Sequence, residues 1–230
     1  MKKEIVVISL GGSQILKNGE VNVNFLLKFK KIISGHSKEK KFIIVCGGGS
    51  IARTYINGLK KINASEKLQS FAGISVTRHN ARFMSYFFGL DQLEGVPHTL
   101  EGVKKLLKRQ NVVFVGGLEY KPEQTSDSTA AQIAKNFRAV FINITNVPGL
   151  HTSNPLTNKN AKFIPYISWE DFHNMADKID FKPGQHFVLD QNASKIILNS
   201  KIKTYIIGND LRNLDKLLNG QDFIGTSIYD

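Results

Sequence analysis

The chain has 230 residues, 41% of them apolar and 22% charged, with a formal net charge of +12. That length and balance belong to a globular protein with a full core, built as one large domain or two intimately fused lobes, and no apolar run approaches the roughly 20 residues that cross a bilayer. The single cysteine, Cys46, excludes an internal disulfide or a cysteine-rich metal site, and six histidines without an H-E-x-x-H pairing argue against a zinc hydrolase.

In chain order, strand-like runs fall near 4–10, 42–46, 112–115, 139–144 and 203–207. Helix-like segments fall near 23–34, 50–62, 71–88, 99–109, 127–137, 168–177, 190–200 and 212–219. Within 23–34, Phe25, Leu26, Phe29, Ile32 and Ile33 share one face while Lys28, Lys30 and Lys31 lie mostly off it. Alternation of the two element types predicts an α/β fold, an open, mainly parallel twisted sheet sandwiched between helices. The irregular stretch Pro148 to Pro165 reads as a loop or hairpin over the sheet edge. Met1-Lys2-Lys3-Glu4 leads straight into the first strand, so a cytoplasmic protein without a membrane partner is expected.

The positive charge invites a nucleic-acid reading. The lysines oppose it, because Lys28, Lys30 and Lys31, then Lys38, Lys40 and Lys41, then Lys104, Lys105 and Lys108 are spread over several elements rather than along one stripe. They read as a solvated surface whose field draws anionic small molecules, with no nucleic-acid partner.

Three apolar runs end on adjacent glycines: Val6 to Leu10 into Gly11-Gly12-Ser13, Phe42 to Cys46 into Gly47-Gly48-Gly49-Ser50, and Val112 to Val115 into Gly116-Gly117. Glycine lets bare amides approach a ligand, and a helix that follows adds the positive end of its dipole, so the pattern points to phosphate. At the carboxyl ends of strands in an open sheet, the three turns are expected to converge on one crevice; the alternative is that they only make tight turns. No G-x-x-x-x-G-K-[ST] occurs. Gly47 to Ala52 fits G-x-G-x-x-A, but the segment before Glu66 reads as helix and loop instead of the second strand that a dinucleotide site needs. Arg53, one turn beyond the glycines, can reach back to a phosphate or stand as an exposed helix charge. Gln124 to Ala131 resembles a helix start with hydroxyls and free amides together, in which Asp127 is either a functional carboxylate or a plain cap.

Taken together, Ile8 to Ser13, Gly47 to Arg53, Gly73-Ile74 with Thr77-Arg78 and Asn80-Ala81, Gly116-Gly117, Thr125-Ser126-Asp127, Ile144 to Val147 with Gly149, and Leu189-Asp190 with Ala193 and Lys195 resemble the amino acid kinase superfamily, in particular its archaeal uridylate kinases. The resemblance covers nearly the whole chain. It implies one amino acid kinase domain, residues 1–230, with an acceptor-binding lobe at roughly 1–138 and an ATP-binding lobe at roughly 139–230. It further implies phosphoryl transfer from ATP to UMP with Mg²⁺, no metal held by protein side chains, and a homohexamer. Carried over, Gly12, Ser13, Arg53 and Asp127 serve the transfer itself; Gly48, Ser70, Gln124, Thr125 and Ser126 hold UMP; Gly12, Ser13, Gly49, Arg53, Thr145, His151 and Asn154 hold ATP.

The chain departs from the family at several of these positions. Ser9 stands where lysine is common, Ser70 where an aspartate meets the ribose, Pro148-Gly149-Leu150-His151 where the ATP loop reads aspartate-glycine-valine-tyrosine, and Asn154 where a second aspartate is usual. Two extra residues lie between Gly117 and Thr125. A kinase of the same fold with another phosphate or carboxylate acceptor, or a nucleotide-binding regulatory or storage protein without turnover, is the alternative reading.

Overall fold

The first strand explains why the sheet sits at the centre: Val6, Ile8 and Leu10 point to one face, Val7 and Ser9 to the other, and all five are buried. A strand covered on both faces is a continuous apolar run, and such strands belong to parallel sheets with helices above and below. The computed structural model describes residues 3–90, 95–120, 124–155, 157–178 and 189–230. Its elements begin with β1 (Glu4–Leu10), α1 (Gly12–Ile15), a hairpin of β2 (Leu16–Lys17) and β3 (Glu20–Val21), α2 (Val23–His36), β4 (Lys40–Cys46), α3 (Gly49–Lys61) and α4 (Glu66–Phe87). They continue with α5 (Leu100–Arg109), β5 (Val112–Val115), α6 (Ser126–Phe137), β6 (Val140–Ile144), β7 (Leu150–His151), β8 (Phe163–Ile164) and β9 (Tyr166–Ile167). The last are α7 (Trp169–Asp177), α8 (Gln191–Ser200), β10 (Thr204–Ile207), α9 (Leu211–Leu218) and β11 (Gly225–Ile228).

The seven-stranded sheet has the order β5-β4-β1-β6-β10-β11-β9. Every neighbouring pair is parallel except β10 and β11. One face packs against α5, α6, α7 and α8 through Val103, Ala130, Ala134, Phe172 and Ile197. The other packs against α2, α4 and α9 through Phe29, Ile33, Met84 and Leu214. The chain leaves β1 toward β4 and β5 and then returns to β6 on the opposite side of β1, so the strand order reverses there, and crevices for ligands open at such a point.

The strand and helix segments read from the sequence are all present, 4–10 and 112–115 with the same bounds and the others shifted by at most five residues. The largest shift is α4, which starts at Glu66 rather than near 71 because Ser65 caps it, accepting from Leu68 N at 3.4 Å. Gly73 does not interrupt it, since its bare Cα lies under Ile56 of α3, whose Cδ1 would be 3.2 Å from any Cβ placed there. Pro148 to Pro165 contains the hairpin of β7 and β8, pairing Leu150 with Ile164 and His151 with Phe163; Leu156 lies outside the described residues. Thr226 of β11 fastens this hairpin, accepting from Leu150 N at 2.7 Å and donating to Ile164 O at 2.6 Å.

Candidate active site

At the carboxyl end of β1, the backbone of Gly12 rests directly on the turn after β4. A Cβ on Gly12 would lie 2.3 Å from Gly49 N and 2.7 Å from Gly47 O, so only glycine fits. Gly49 itself has φ +64°, in the left-handed region that favours glycine. From there α3 begins with Gly48 at its cap, no side-chain cap bond and no acidic residue in its first turn. Its first amides and dipole thus remain available to an anion. Arg53, one turn further, is exposed and has no ion-pair partner among the described residues.

The third glycine pair joins the others through α4 and offers less to a ligand than the sequence suggests. Gly117 donates its amide to Thr77 Oγ1 at 2.7 Å, and a Cβ on Gly116 would lie 2.4 Å from Arg78 N. These glycines let a helix backbone touch a strand end, and the Gly117 N–H is already consumed. Thr77 stands between two of the turns, its Cγ2 3.5 Å from the Cβ position of Gly48, while Asn80 donates to Gly47 O at 2.7 Å. Ser70 lies on the same α4 stripe as Ile74 and Thr77, two turns nearer the helix start. Convergence of the three turns is therefore real, with α4 as the wedge between them.

On the opposite face of the sheet, α6 begins with Thr125 as its cap. The Thr125 hydroxyl accepts from the amides of Asp127 at 3.1 Å and Ser128 at 3.2 Å, and Ser128 Oγ accepts from Thr125 N at 2.8 Å, a capping box. The cap is thus Thr125, and the Asp127 carboxylate is left for other work. It accepts from Ser9 Oγ at 2.7 Å. Beside it lies Asp190, the cap of α8, whose Oδ1 accepts from Ala193 N at 2.8 Å and whose other oxygen accepts from Thr125 Oγ1. Burial first, and the charge of Asp190 second, push the Asp127 carboxyl up to about 7, against the opposing effect of the Ser9 bond. Burial also raises Asp190. Gln124 and Ser126 flank the cap, both partly exposed.

Across β6, Thr145 N donates to Ile207 O at 2.9 Å and its hydroxyl to Asn146 Oδ1 at 3.3 Å. Gly149 is pressed into the hairpin: a Cβ there would meet Thr226 Oγ1 at 2.7 Å and Phe163 Cε2 at 2.8 Å. His151 has its ring against Phe163, centroids 5.4 Å apart and tilted by 59°, and its Nδ1 lies 3.1 Å from Gly149 O. Asn154 starts a turn, its carbonyl accepting from Asn158 N at 2.9 Å. Gly11 touches this side, 3.7 Å from Ile144 O at its Cβ position. The transfer groups therefore meet around the ends of β1 and β4, where Gly12, Ser13, Gly49 and Arg53 of the residues read as donor-binding also lie, whereas Thr145, His151 and Asn154 lie beyond β6. Asp190, Thr77, Arg78 and Asn80 are structural participants that sequence reasoning quoted within motifs but gave no role; their signal was only that they recur with those motifs.

A glycine-lined switch point with a helix start and a carboxylate pair is the architecture of a phosphate-handling α/β protein, and residues 4–208 match the model of the amino acid kinase family. The chain belongs to that family. Within it, the chain is similar to the uridylate kinase of Archaeoglobus fulgidus, at 34% identity over 97% of this chain and 99% of the relative, and to that of Thermoplasma acidophilum, at 31% identity over 99% and 97%. The crystal structure of the A. fulgidus uridylate kinase superposes with a TM-score of 0.83, covering 97% of this chain and 99% of that one. The UMP kinase of Ureaplasma parvum, at 22% identity and a TM-score of 0.80, shares the fold over 100% of both chains.

Proposed function

We propose that the chain is a UMP kinase, transferring the γ-phosphoryl group of ATP to UMP to give UDP and ADP. The observation that carries this reading is the contact between Gly12 and Gly49, which sets the β1 turn and the start of α3 back to back, 2.3 Å from Gly49 N to a Cβ on Gly12. Two glycine turns packed backbone to backbone suit two phosphate chains meeting head to head, and the near-full-length likeness to uridylate kinases supports the acceptor.

Phosphoryl transfer asks little covalent chemistry of a protein; it asks for in-line positioning and for charge to be neutralised on the moving group. In this proposal Gly48 and the first amides of α3 receive the UMP phosphate, with Ser70, Gln124, Thr125 and Ser126 along the acceptor. Gly12 and Ser13 face the γ-phosphate, Gly49 and Arg53 reach phosphates of both nucleotides, and Thr145, His151 and Asn154 line the ATP side. Thr125 contributes by fixing the start of α6 beside the acceptor, because its hydroxyl is engaged by two amides and Asp190, its amide by Ser128 and its carbonyl by Thr129. Asp127 orders the polar groups around the reacting phosphates. Hydroxyls and two carboxylates make an oxygen donor set that suits a hard cation, and no group of three or more His, Cys, Asp or Glu among the described residues forms a metal cage. Mg²⁺ arriving with ATP would screen charge on its phosphate oxygens.

We further propose a single catalytic domain with its acceptor lobe at about 1–138 and its ATP lobe at about 139–230, a homohexameric assembly and a cytoplasmic location; no helix among the described residues is long and apolar enough to cross a membrane. An ADP-release assay with ATP and Mg²⁺ against UMP, CMP, AMP and GMP tests the central claim. UMP is expected to give by far the highest kcat/KM with UDP as product; turnover of another acceptor in preference, or UMP binding without turnover, overturns it.

A further inference from the structure

Arg78, on α4, is used by no part of the mechanism above. Its Nε donates to Gly117 O at 2.8 Å and its Nη2 to Leu118 O at 2.6 Å. Both acceptors are carbonyls of the chain just leaving β5, on its way to Gln124, Thr125 and Ser126. The guanidinium is partly buried, burial lowers its pKa, and no carboxylate pairs with it among the described residues. Its charge is felt by His98, which is depressed chiefly by burial and then by Arg78. A desolvated cation without a counter-charge is costly unless its hydrogen bonds are well placed. Here the fork of the guanidinium fits two successive carbonyls at once, which a lysine ammonium cannot do in the same geometry.

The same helix grips this stretch at two more points. Thr77 Oγ1 accepts from Gly117 N at 2.7 Å, and Phe71 packs edge to face on Tyr120 with centroids 5.4 Å apart. Donor and acceptor of Gly117, the carbonyl of Leu118 and the ring of Tyr120 are thus all fixed from α4.

We propose that Arg78 is a positioning residue for the nucleotide acceptor: its two hydrogen bonds set the path of the chain after β5 and so the placement of Gln124 and Ser126 beside the acceptor. This rests on the UMP kinase reading and names a determinant of acceptor affinity in it. A scaffold residue for the whole fold would act on both substrates alike, whereas Arg78 touches only the acceptor side.

The test compares wild type with R78A and R78K by steady-state kinetics in UMP and ATP separately, and by amide hydrogen exchange over Gly116–Tyr120. R78A is expected to raise KM for UMP about tenfold or more, the loss of about one charge-assisted hydrogen bond, with KM for ATP and kcat within about twofold. R78K is expected to fall between R78A and wild type, and exchange over Gly116–Tyr120 to quicken in both variants. An unchanged KM for UMP, an equal rise in both KM values, or unaltered exchange overturns the proposal. Should R78A fail to fold, R78K alone carries the same comparison. If the wild-type protein forms no UDP from UMP, the functional reading falls, and the exchange measurement still decides whether Arg78 fixes this segment.

Discussion

The hydroxyl of Ser9 donates to Oδ1 of Asp127 across 2.7 Å, joining residues 118 positions apart in the chain. A neutral donor therefore meets the carboxylate, while the charge of a second carboxylate, Asp190, disfavours its ionised form. With its proton-binding midpoint pushed up to about 7, Asp127 changes charge near neutrality. The native state holds this proton more tightly than the unfolded chain does, from the ordinary 3.8 up to about 7. Stability is thus expected to fall as pH rises through that window and to level off above it. Asp127→Asn is expected to flatten this slope and to melt higher than wild type at pH 8, while kcat drops about 100-fold or more and nucleotide binding persists. Thermal melts from pH 5 to 8 with parallel kinetics check this, and wild-type turnover by the variant would reduce Asp127 to a packing group.

The acid limb of the kcat profile is expected to follow the same carboxyl. Ser9→Ala removes a bond that favours the ionised form and should move the limb to higher pH. Asp190→Asn removes a neighbouring negative charge and should move it lower. Opposite displacements in a pH–rate series are the signature; displacements of the same sign would mean that another group titrates.

Arg53→Ala should lower kcat/KM by about 1.5–3 kcal/mol, the range for a lost charged hydrogen bond, without shifting the melting temperature, since the side chain is exposed and has no ion-pair partner among the described residues. A parallel fall in thermal stability would contradict the phosphate role.

Gly12→Ala pits a methyl group against Gly49 N at 2.3 Å and Gly47 O at 2.7 Å, both backbone. Nothing flexible is available to yield, so the two turns must separate, at a cost of about 1–3 kcal/mol in stability. Activity should suffer far more than folding, which a melt and an ADP-release assay measured together would show.

Thr77→Val keeps the shape of the side chain and deletes the acceptor of the buried Gly117 N–H. An orphaned amide there should cost about 1–3 kcal/mol by denaturant titration. A smaller loss would mean that water replaces the hydroxyl.

Much of this architecture was legible from the residues alone, for reasons that differ by element. The runs 4–10, 42–46 and 112–115 announce themselves because strands buried on both faces read as near-continuous apolar runs, broken here by Ser9 alone within 5–10, and glycine punctuates each. The first turn of α4 was hidden, since Glu66 to Ser70 holds one apolar residue and shows no period, and only the Ser65 cap marks it. Gly116 and Gly117 read as donors to a ligand, whereas the structure uses them for close approach of α4, a distinction that depends on what lies opposite. The pairing of Asp127 with Asp190 was hidden, since Thr125 and Asp190 are 65 residues apart and each alone reads as an ordinary helix cap. The short β2, β3, β9 and β11 strands were not read either, as two to four residues hold too little pattern to show a period.

The packing of Gly12 against Gly49 has one more consequence. Peptide atoms, not rotamers, set the interval between the two glycine turns, so that interval behaves as a fixed ruler, indifferent to ionic strength and to neighbouring substitutions. Tuning of substrate preference is thereby left to the outlying side chains on α4 and in the segment beyond β5, where change does not disturb the gauge.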